Sequence, residues 1–419
     1  MRRSWLCCGW LCYGLAAGCA AAEIRVHPGA QLQVQIDAAR PGDTLLIERG
    51  HYDAPVHISK ALTLRGIGDP VIDAHGRGDV IRIGAADVHL QGLVIVHSGD
   101  DLGAQNAGVY IQPGADRAEI SGCQLAYNLF GLWIEGVHGV RVENDRISGQ
   151  RDHDSAQRGN GIQLYNTQGA LILGNQISYV RDGIYVDVSH HALFRANHIH
   201  HTRYGTHYMN SYYNRWEDNE VDHNRDGLAL MMTRDQVVSG NRIWANSDVG
   251  ILMRTFTDSR VENNVVADNV RGFFLYDAEF NQVHGNLLID NDVGMHLSAG
   301  SIDNSVDGND FIHNREQIRY VGSQDEIWQG RTGNFWSDYL GWDRNGDGRG
   351  DIPYAAVDLL DRLLWRYPTA RLLMDSPALL TLRHVAQQFP LLHQATVIDA
   401  APSMRPHTRH WRDWIGIRH

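Results

Sequence analysis

The sequence predicts an all-β protein, a right-handed parallel β-helix with a helical cap at its N-terminus and a helical appendage at its C-terminus. A Gly-apolar-X-apolar segment recurs every 22 or 23 residues, with one interval of 30, at Gly108, Gly131, Gly161, Gly183, Gly205, Gly227, Gly250, Gly272 and Gly294. A column of asparagines follows nearly the same period: Asn175, Asn197, Asn219, Asn241, Asn263, Asn286 and Asn309. Stacked amides can hydrogen-bond between adjacent coils, and the leucine columns of a leucine-rich repeat are absent.

The residues after each glycine define an inner and an outer face. The first and third positions are apolar almost throughout, with Thr206 as an exception, whereas the second and fourth vary. Because successive side chains of a strand point to opposite faces, the first and third positions should build the core and the second and fourth should face outward.

The segments on either side of the repeats should cover the ends of the solenoid, which would otherwise expose a coil of apolar side chains. Residues 30–39 fit a short amphipathic helix that ends before Pro41, and they form the N-terminal cap. We assign residues 23–340 to the β-helix, 341–355 to an Asp/Gly-rich loop and 356–419 to a helical segment. That last segment has apolar residues at helical spacing between Pro377 and Phe389, and it either plugs the solenoid or docks a partner.

Residues 1–22 have the pattern of a secretory signal peptide, with Arg2 and Arg3 before an uncharged apolar run and three alanines before Glu23. A lipoprotein signal around Cys19 is the alternative. Without this segment the chain keeps one cysteine, Cys123, in the asparagine column, and 35 basic against 49 acidic residues. An acidic exported chain argues against nucleic-acid binding, and no later apolar run is long enough to span a membrane.

The outer columns predict a binding face, because apolar and aromatic side chains are costly to leave in water as a strip. The residues expected to form this partner-binding face are Trp133, Tyr165, Tyr185, Asp187, Phe274, Tyr276 and His296.

A candidate copper site lies at the centre of this face. His207 and Met209 share one strand, and Met231 should lie one coil further along, at about the 4.8 Å separation of neighbouring strands. One imidazole and two thioethers are ligands that suit Cu(I), bound here only transiently. We assign the neighbouring Met232 and Met253 to the core. Semi-exposed residues without a metal are the alternative interpretation.

Two carboxylates on the same face, Glu135 and Asp187, suggest a competing function as a polysaccharide lyase, hydrolase or epimerase. The register places them two coils apart, about 10 Å, which is at or beyond the limit for an inverting pair and too wide for a retaining pair. The sequence therefore favours a protein that is not an enzyme.

The Asp/Gly-rich loop is a second candidate metal site. Asp343, Asn345, Asp347 and Asp351 place oxygen ligands at alternate positions, with glycines between them, as a calcium loop requires. The bidentate glutamate of an EF-hand is missing, so a metal-free turn is the alternative.

Along nearly the whole mature chain the sequence resembles the NosD family of periplasmic maturation proteins for the copper enzyme nitrous oxide reductase. The resemblance rests on residues 36–44, His207-Tyr208-Met209, Leu230-Met231, residues 333–338 with the Asp-rich loop, and residues 376–378. It departs from the family at Met232, where an aromatic residue is expected, which leaves open which methionine faces outward.

The resemblance implies a function without catalysis. It implies a periplasmic protein, held at the inner membrane through its partners, that acts as the periplasmic arm of an ABC-type transporter assembly with its permease and ATPase. Copper would come from a lipoprotein chaperone and pass to apo nitrous oxide reductase. A docking scaffold that carries no metal is the remaining alternative.

Overall fold

The right-handed parallel β-helix is confirmed, with about 14 turns. The structure is a computed structural model that describes residues 21–298, 300–322, 325–356, 376, 381 and 396–416. Each regular coil contributes one short strand to each of three long parallel sheets, which enclose the core. The predicted signal peptide lies outside the described residues, except for its last two.

The bounds of the strands follow the coils. Sheet 1 consists of Glu23–Val26, Thr44–Glu48, Thr63–Ile67, His89–Gln91, Glu119–Ser121, Arg141–Glu143, Leu171–Leu173, Leu193–Arg195, Arg215–Glu217, Val237–Ser239, Arg260–Glu262, Gln282–His284 and Ser305–Asp307. Sheet 2 consists of Val56–Ile58, Ile81–Ile83, Ala107–Ile111, Phe130–Glu135, Ile162–Tyr165, Asp182–Asp187, Tyr204–Met209, Asp226–Arg234, Val249–Thr257, Arg271–Glu279, Val293–Leu297 and Glu316–Tyr320. Sheet 3 consists of His51–Asp53, Val71–Asp73, Val94–Val96, Gln124–Ala126, Arg146–Ser148, Gln176–Ser178, His198–His200, Glu220–Asp222, Arg242–Trp244, Val265–Ala267, Leu287–Ile289, Asp310–Ile312 and Phe335–Trp336.

The repeated Gly-apolar-X-apolar segments form sheet 2, and their core assignment is confirmed. Every residue at the first and third positions is 0% exposed, from Val109 and Ile111 to Met295 and Leu297. Thr206, the polar exception, is buried as well, and its hydroxyl donates to the carbonyl of Ile184 at 2.9 Å. The glycines themselves allow close packing of the coils, since a Cβ at Gly205 would lie 2.4 Å from Val221 Cγ1.

The asparagine ladder is continuous, with one correction to its membership. The buried member in its coil is Asn264, not Asn263 as predicted. Asn263 has a left-handed backbone, with φ of 57°, and its side chain is exposed. Each regular ladder amide accepts from the preceding member's backbone and side chain and donates to a carbonyl of a neighbouring coil, as Asn219 does toward Asn197 and Phe194.

Asp145 occupies a ladder position but cannot donate as an asparagine does. One carboxylate oxygen accepts from Cys123 N at 2.6 Å, while the other has no hydrogen-bond partner among the described residues. The residue is 1% exposed, and burial raises the pKa of Asp145 to about 7. The next ladder member accepts normally, since Asp145 N donates to Asn175 Oδ1 at 3.0 Å.

We therefore expect Asp145→Asn to stabilise the protein at pH 8 by about 1 to 3 kcal/mol, because the unpartnered oxygen becomes a donor. The raised pKa means that the folded wild type binds a proton which the unfolded chain releases above about pH 4. Stability from the protonated carboxyl is present below that pH and is lost as the pH rises to about 7. Melting curves should show a larger gain at pH 8 than at pH 5; an equal or reduced melting temperature at pH 8 would contradict this.

A left-handed residue ends the flat part of each central sheet 2 strand. The fifth position after the glycine has φ near 50° in six successive coils, at Asn166, Val188, Asn210, Met232, Thr255 and Asp277. This backbone reverses the alternation, so the fifth side chain faces outward and the sixth is buried. The core assignment of Met232 was therefore wrong, because its side chain is 40% exposed, whereas Met253 is buried as predicted.

Both described ends of the solenoid are covered. The helix Leu32–Ala38 buries Leu32 and Ile36 over the first coils. At the other end Glu326–Trp328, Tyr354–Ala355 and Val397–Asp399 form a small sheet, followed by the 3₁₀ helix Trp411–Trp414. The helix predicted between Pro377 and Phe389 lies almost wholly outside the described residues, and residues 396–416 contain no α-helix.

Asp399 ties the C-terminal segment to the last coil. Its Oδ2 accepts hydrogen bonds from the backbone and side-chain nitrogens of Asn334, at 3.0 and 3.1 Å, and from Trp336 Nε1 at 3.1 Å. The carboxylate thus continues the asparagine ladder, so the C-terminal segment closes this end of the solenoid.

Candidate functional site

The outer columns of sheet 2 hold the predicted site in the expected register. Asp187 pairs with Met209 across adjacent strands, and His207 pairs with Ala229 on the next strand. Met231 continues the column of Met209, since Tyr208 pairs with Leu230 and Met231 then pairs with Arg254. Three consecutive strands therefore carry the predicted copper ligands on one outward surface.

The imidazole of His207 is oriented by a buried carboxylate. Its Nδ1 lies 3.1 Å from Asp182 Oδ2, and the His207 side chain is 16% exposed against 1% for Asp182. Burial raises the pKa of Asp182, but hydrogen bonds from His207 and Arg203 outweigh it, so that this pKa lies below its usual value. An ionised Asp182 requires the proton on Nδ1, which leaves the lone pair of Nε2 free to bind a metal.

Rings hold this imidazole from two sides. Tyr185 and Tyr204 contact it edge to face, with ring centroids 4.6 and 5.1 Å away. The Tyr185 hydroxyl also reaches Met209 Sδ, at 3.9 Å. His207 and Met209 therefore belong to one packed group, and the orientation of both depends on Tyr185.

The thioethers extend beyond the predicted pair. Met209 and Met231 are half-buried on neighbouring strands, and Met232 is exposed beside Met231 because of its left-handed backbone. Alternation alone did not reveal Met232. The signal that could have revealed it is the run of Asn and Asp at the equivalent positions of other coils, since these residues favour left-handed conformations.

The partner-binding face is divided rather than continuous. Trp133 stacks near Tyr110 on one side, whereas Phe274 stacks on His296 on the other, with centroids 4.7 Å apart. Between these groups Gln163 and Ala229 are buried, while Tyr165 and Tyr276 are exposed. The copper candidates therefore lie between two aromatic groups.

His296 is the most unusual member of this face. Both ring nitrogens are buried without a hydrogen-bond partner in the described part of the chain. Burial lowers the pKa of His296 to about 4, and the charges of Arg319 and Arg271 act in the same direction. The ring is therefore neutral at neutral pH and contributes an apolar surface with Phe274.

The two carboxylates considered for catalysis are separated by a full strand. Glu135 pairs with Tyr165, which in turn pairs with Asp187. Glu135 accepts from the Tyr110 hydroxyl at 2.7 Å, and burial, with this bond, raises the pKa of Tyr110 to about 12. Asp187 accepts from Asn210 Nδ2 at 3.3 Å. Each carboxylate thus has its own partners, and the separation remains about 10 Å.

The Asp/Gly-rich loop directs its side chains to its own backbone. Asp343 accepts from Gly346 N and Gly348 N at 2.7 and 2.9 Å, and Asp351 accepts from Arg344 N at 2.7 Å. Asp347 accepts from Arg349 N, and Asn345 from Asp347 N. Within the described residues no three His, Cys, Asp or Glu side chains are grouped to hold a metal ion. Calcium binding here stays a prediction.

Fold and site together define a class, a parallel β-solenoid with a cluster of soft metal ligands on the outer face of one sheet. Its solved structural neighbours include a family 28 exopolygalacturonase from Yersinia enterocolitica, with a TM-score of 0.57 and 10% identity over 75% of this chain and 78% of that one. The A-module of mannuronan C-5 epimerase AlgE4 from Azotobacter vinelandii has a TM-score of 0.50 and 16% identity, over 72% and 90% of the two chains. These neighbours share the pectin-lyase-like fold.

Sequence relatives are closer. The family model described as "Periplasmic copper-binding protein (NosD)" matches residues 140–341, which include every predicted copper ligand. Proteins described as "Probable ABC transporter binding protein NosD" are 40% identical in Stutzerimonas stutzeri and 38% identical in Pseudomonas aeruginosa. The alignments cover 85% of this chain in both cases, and 85% and 87% of the relatives. The chain therefore belongs to the NosD family of periplasmic copper-binding proteins. No helix of the described residues is long and apolar enough to cross a membrane.

Proposed function

We propose that this protein accepts Cu(I) from a chaperone lipoprotein and delivers it to apo nitrous oxide reductase, without catalysing a reaction. In this proposal it works in the periplasm as the outer component of an ABC-type assembly and is held at the inner membrane by the permease and its ATPase. The family's copper binding and the transporter-related description of its relatives support this function.

The observation that carries the proposal is the outward group of His207, Met209 and Met231 on three neighbouring strands. An imidazole and thioethers match the preference of Cu(I) for soft ligands. Asp182 supplies the second-shell hydrogen bond that sets the imidazole orientation in many metal sites. Copper is the cargo of this site rather than a permanent part of the protein.

Transfer needs a site that a partner can approach. The ligands lie on the surface of a sheet rather than inside a coil, so one side of a bound ion would remain accessible. Met232, exposed beside Met231, supplies a further thioether to which the ion can pass during exchange. A few ligands on an open face favour release, since a closed four-ligand cage would retain the ion.

The direct test is Cu(I) affinity, measured by competition with a chromophoric chelator. We expect Met209→Leu with Met231→Leu, and separately His207→Ala, to weaken binding by more than the ~10- to 100-fold typical of losing a second-shell partner. Met253→Leu is the matched control, because it removes a buried thioether one coil away at nearly constant volume.

Unchanged affinity in the methionine and histidine variants would contradict the site and favour a docking scaffold that carries no metal. Turnover of an anionic polysaccharide, abolished by Glu135→Gln or Asp187→Asn, would contradict the proposed absence of catalysis.

A further inference from the structure

A row of arginines crosses three successive coils beside the copper candidates. Arg181, Arg203 and Arg225 recur at intervals of 22 residues, each two residues before the glycine of a sheet 2 strand. The row is in register, since Arg203 N donates to Arg181 O at 2.7 Å and Arg225 N to Thr202 O at 3.1 Å. Neighbouring parallel strands are about 4.8 Å apart, so the row extends roughly 10 Å.

The loop inserted in the 30-residue interval encloses this row. Arg158 from that loop, together with His201, joins the three arginines around a cavity of about 480 Å³. The Arg158 guanidinium is held over the cavity by the carbonyls of His153 and Arg151, at 2.9 and 3.2 Å. Four guanidinium groups thus line one recess of a chain whose net charge is −12.

Only two of these four charges are answered by a carboxylate. Asp182 pairs with Arg203, and Asp226 pairs with Arg225. Tyr204 lies between these two guanidinium groups, at 4.5 and 4.6 Å, and fixes them further. The half-buried Arg181 has no side-chain hydrogen bond or ion pair among the residues that the structure describes, and Arg158 contacts only neutral carbonyls.

We propose that this recess binds the carboxylate side chains of an acidic segment of a partner protein. Guanidinium groups form paired, charge-assisted hydrogen bonds with carboxylates, and Arg158 and Arg181 are available for them. A row of roughly 10 Å in a cavity of about 480 Å³ fits several carboxylates of a peptide better than one small anion. The loop over the recess also keeps out a flat lipid surface.

The recess adjoins the copper candidates through one carboxylate. Asp182 Oδ2 accepts from both Arg203 Nη2 and His207 Nδ1, at 2.6 and 3.1 Å. An acidic segment bound in the recess would therefore place its protein against His207. This consequence rests on the proposed copper function, whereas the binding of carboxylates does not.

The test uses an acetylated hexaglutamate peptide, without copper, and titration calorimetry of the mature protein at low salt. We expect the peptide to bind and Arg181→Gln and Arg158→Gln to weaken it about tenfold each, the effect of losing one charged hydrogen-bonding group. Arg181→Lys should lose part of the affinity, because an ammonium cannot form the paired contact. Arg260→Gln, which removes an exposed charge from sheet 1, is the matched control and should bind normally.

Competition arms identify the ligand. Inorganic phosphate that displaces the peptide at equal concentration would overturn the proposal in favour of a small-anion site. Binding of phosphatidylglycerol vesicles without binding of the peptide would overturn it in favour of lipid, and equal peptide affinity of Arg181→Gln and wild type would exclude this recess. Peptide binding that survives His207→Ala, with Cu(I) affinity that survives Arg181→Gln, separates this inference from the proposed copper function.

Discussion

Asn219→Ala should lower the free energy of unfolding by about 3 to 4 kcal/mol, the largest effect on stability that we expect from a single substitution. The side chain is 0% exposed and makes four hydrogen bonds in the ladder. Its Nδ2 donates to Phe194 O and Asn241 Oδ1, and its Oδ1 accepts from the backbone and side chain of Asn197. Alanine leaves these groups buried without partners, which costs more than the bonds themselves contribute.

Thermal unfolding followed by circular dichroism measures this effect, with Asn263→Ala as the control. Asn263 is an exposed asparagine outside the ladder, so the control should change the melting temperature little. Because a solenoid need not unfold in two states, the comparison should use both the first and the last transition. Equal shifts for the two variants would show that the ladder does not stabilise the coils.

Asp182→Asn should weaken Cu(I) binding by about 10- to 100-fold, although Asp182 is not itself a ligand in the proposed site. The ionised carboxylate holds the His207 ring with its proton on Nδ1, and an amide can also donate, which allows the other tautomer. Asp182 is therefore a positioning residue. NMR of the histidine ring nitrogens provides a second readout, since the tautomer of His207 should become mixed in the variant.

Asp226→Asn is the matched control for this experiment. Asp226 stands two coils along in the same column as Asp182, with Tyr204 between them, and it is also buried and paired with an arginine. It contacts none of the proposed ligands, so Cu(I) affinity should stay at the wild-type value. Equal losses in the two variants would show that the effect comes from a general change of the sheet rather than from His207.

Most of the fold was predictable because a solenoid repeats one local rule in every coil. The glycine spacing and two-residue alternation identified the buried residues of sheet 2, and the asparagine period identified the ladder. The errors, at Asn263 and Met232, have one physical cause. Each has a left-handed backbone, which interrupts the alternation and turns a side chain outward where a regular strand would bury it.

The site was predictable as a set of positions but not as a set of contacts. Register alone places His207, Met209 and Met231 on one surface. The pairing of His207 with Asp182 joins residues 25 positions apart, and it depends on which way each ring and carboxylate turns within its coil. The arginine row is visible in the sequence, but which guanidinium groups lack a counter-charge depends on these same side-chain orientations.

X-ray absorption spectroscopy of the Cu(I)-loaded mature protein most directly tests whether the outer face of sheet 2 is a copper-exchange site. The account predicts scattering from both nitrogen and sulfur in the wild type, with the sulfur contribution lost in Met209→Leu with Met231→Leu and retained in Met253→Leu. A spectrum with only nitrogen and oxygen scatterers, or one that the double substitution leaves unchanged, would contradict it.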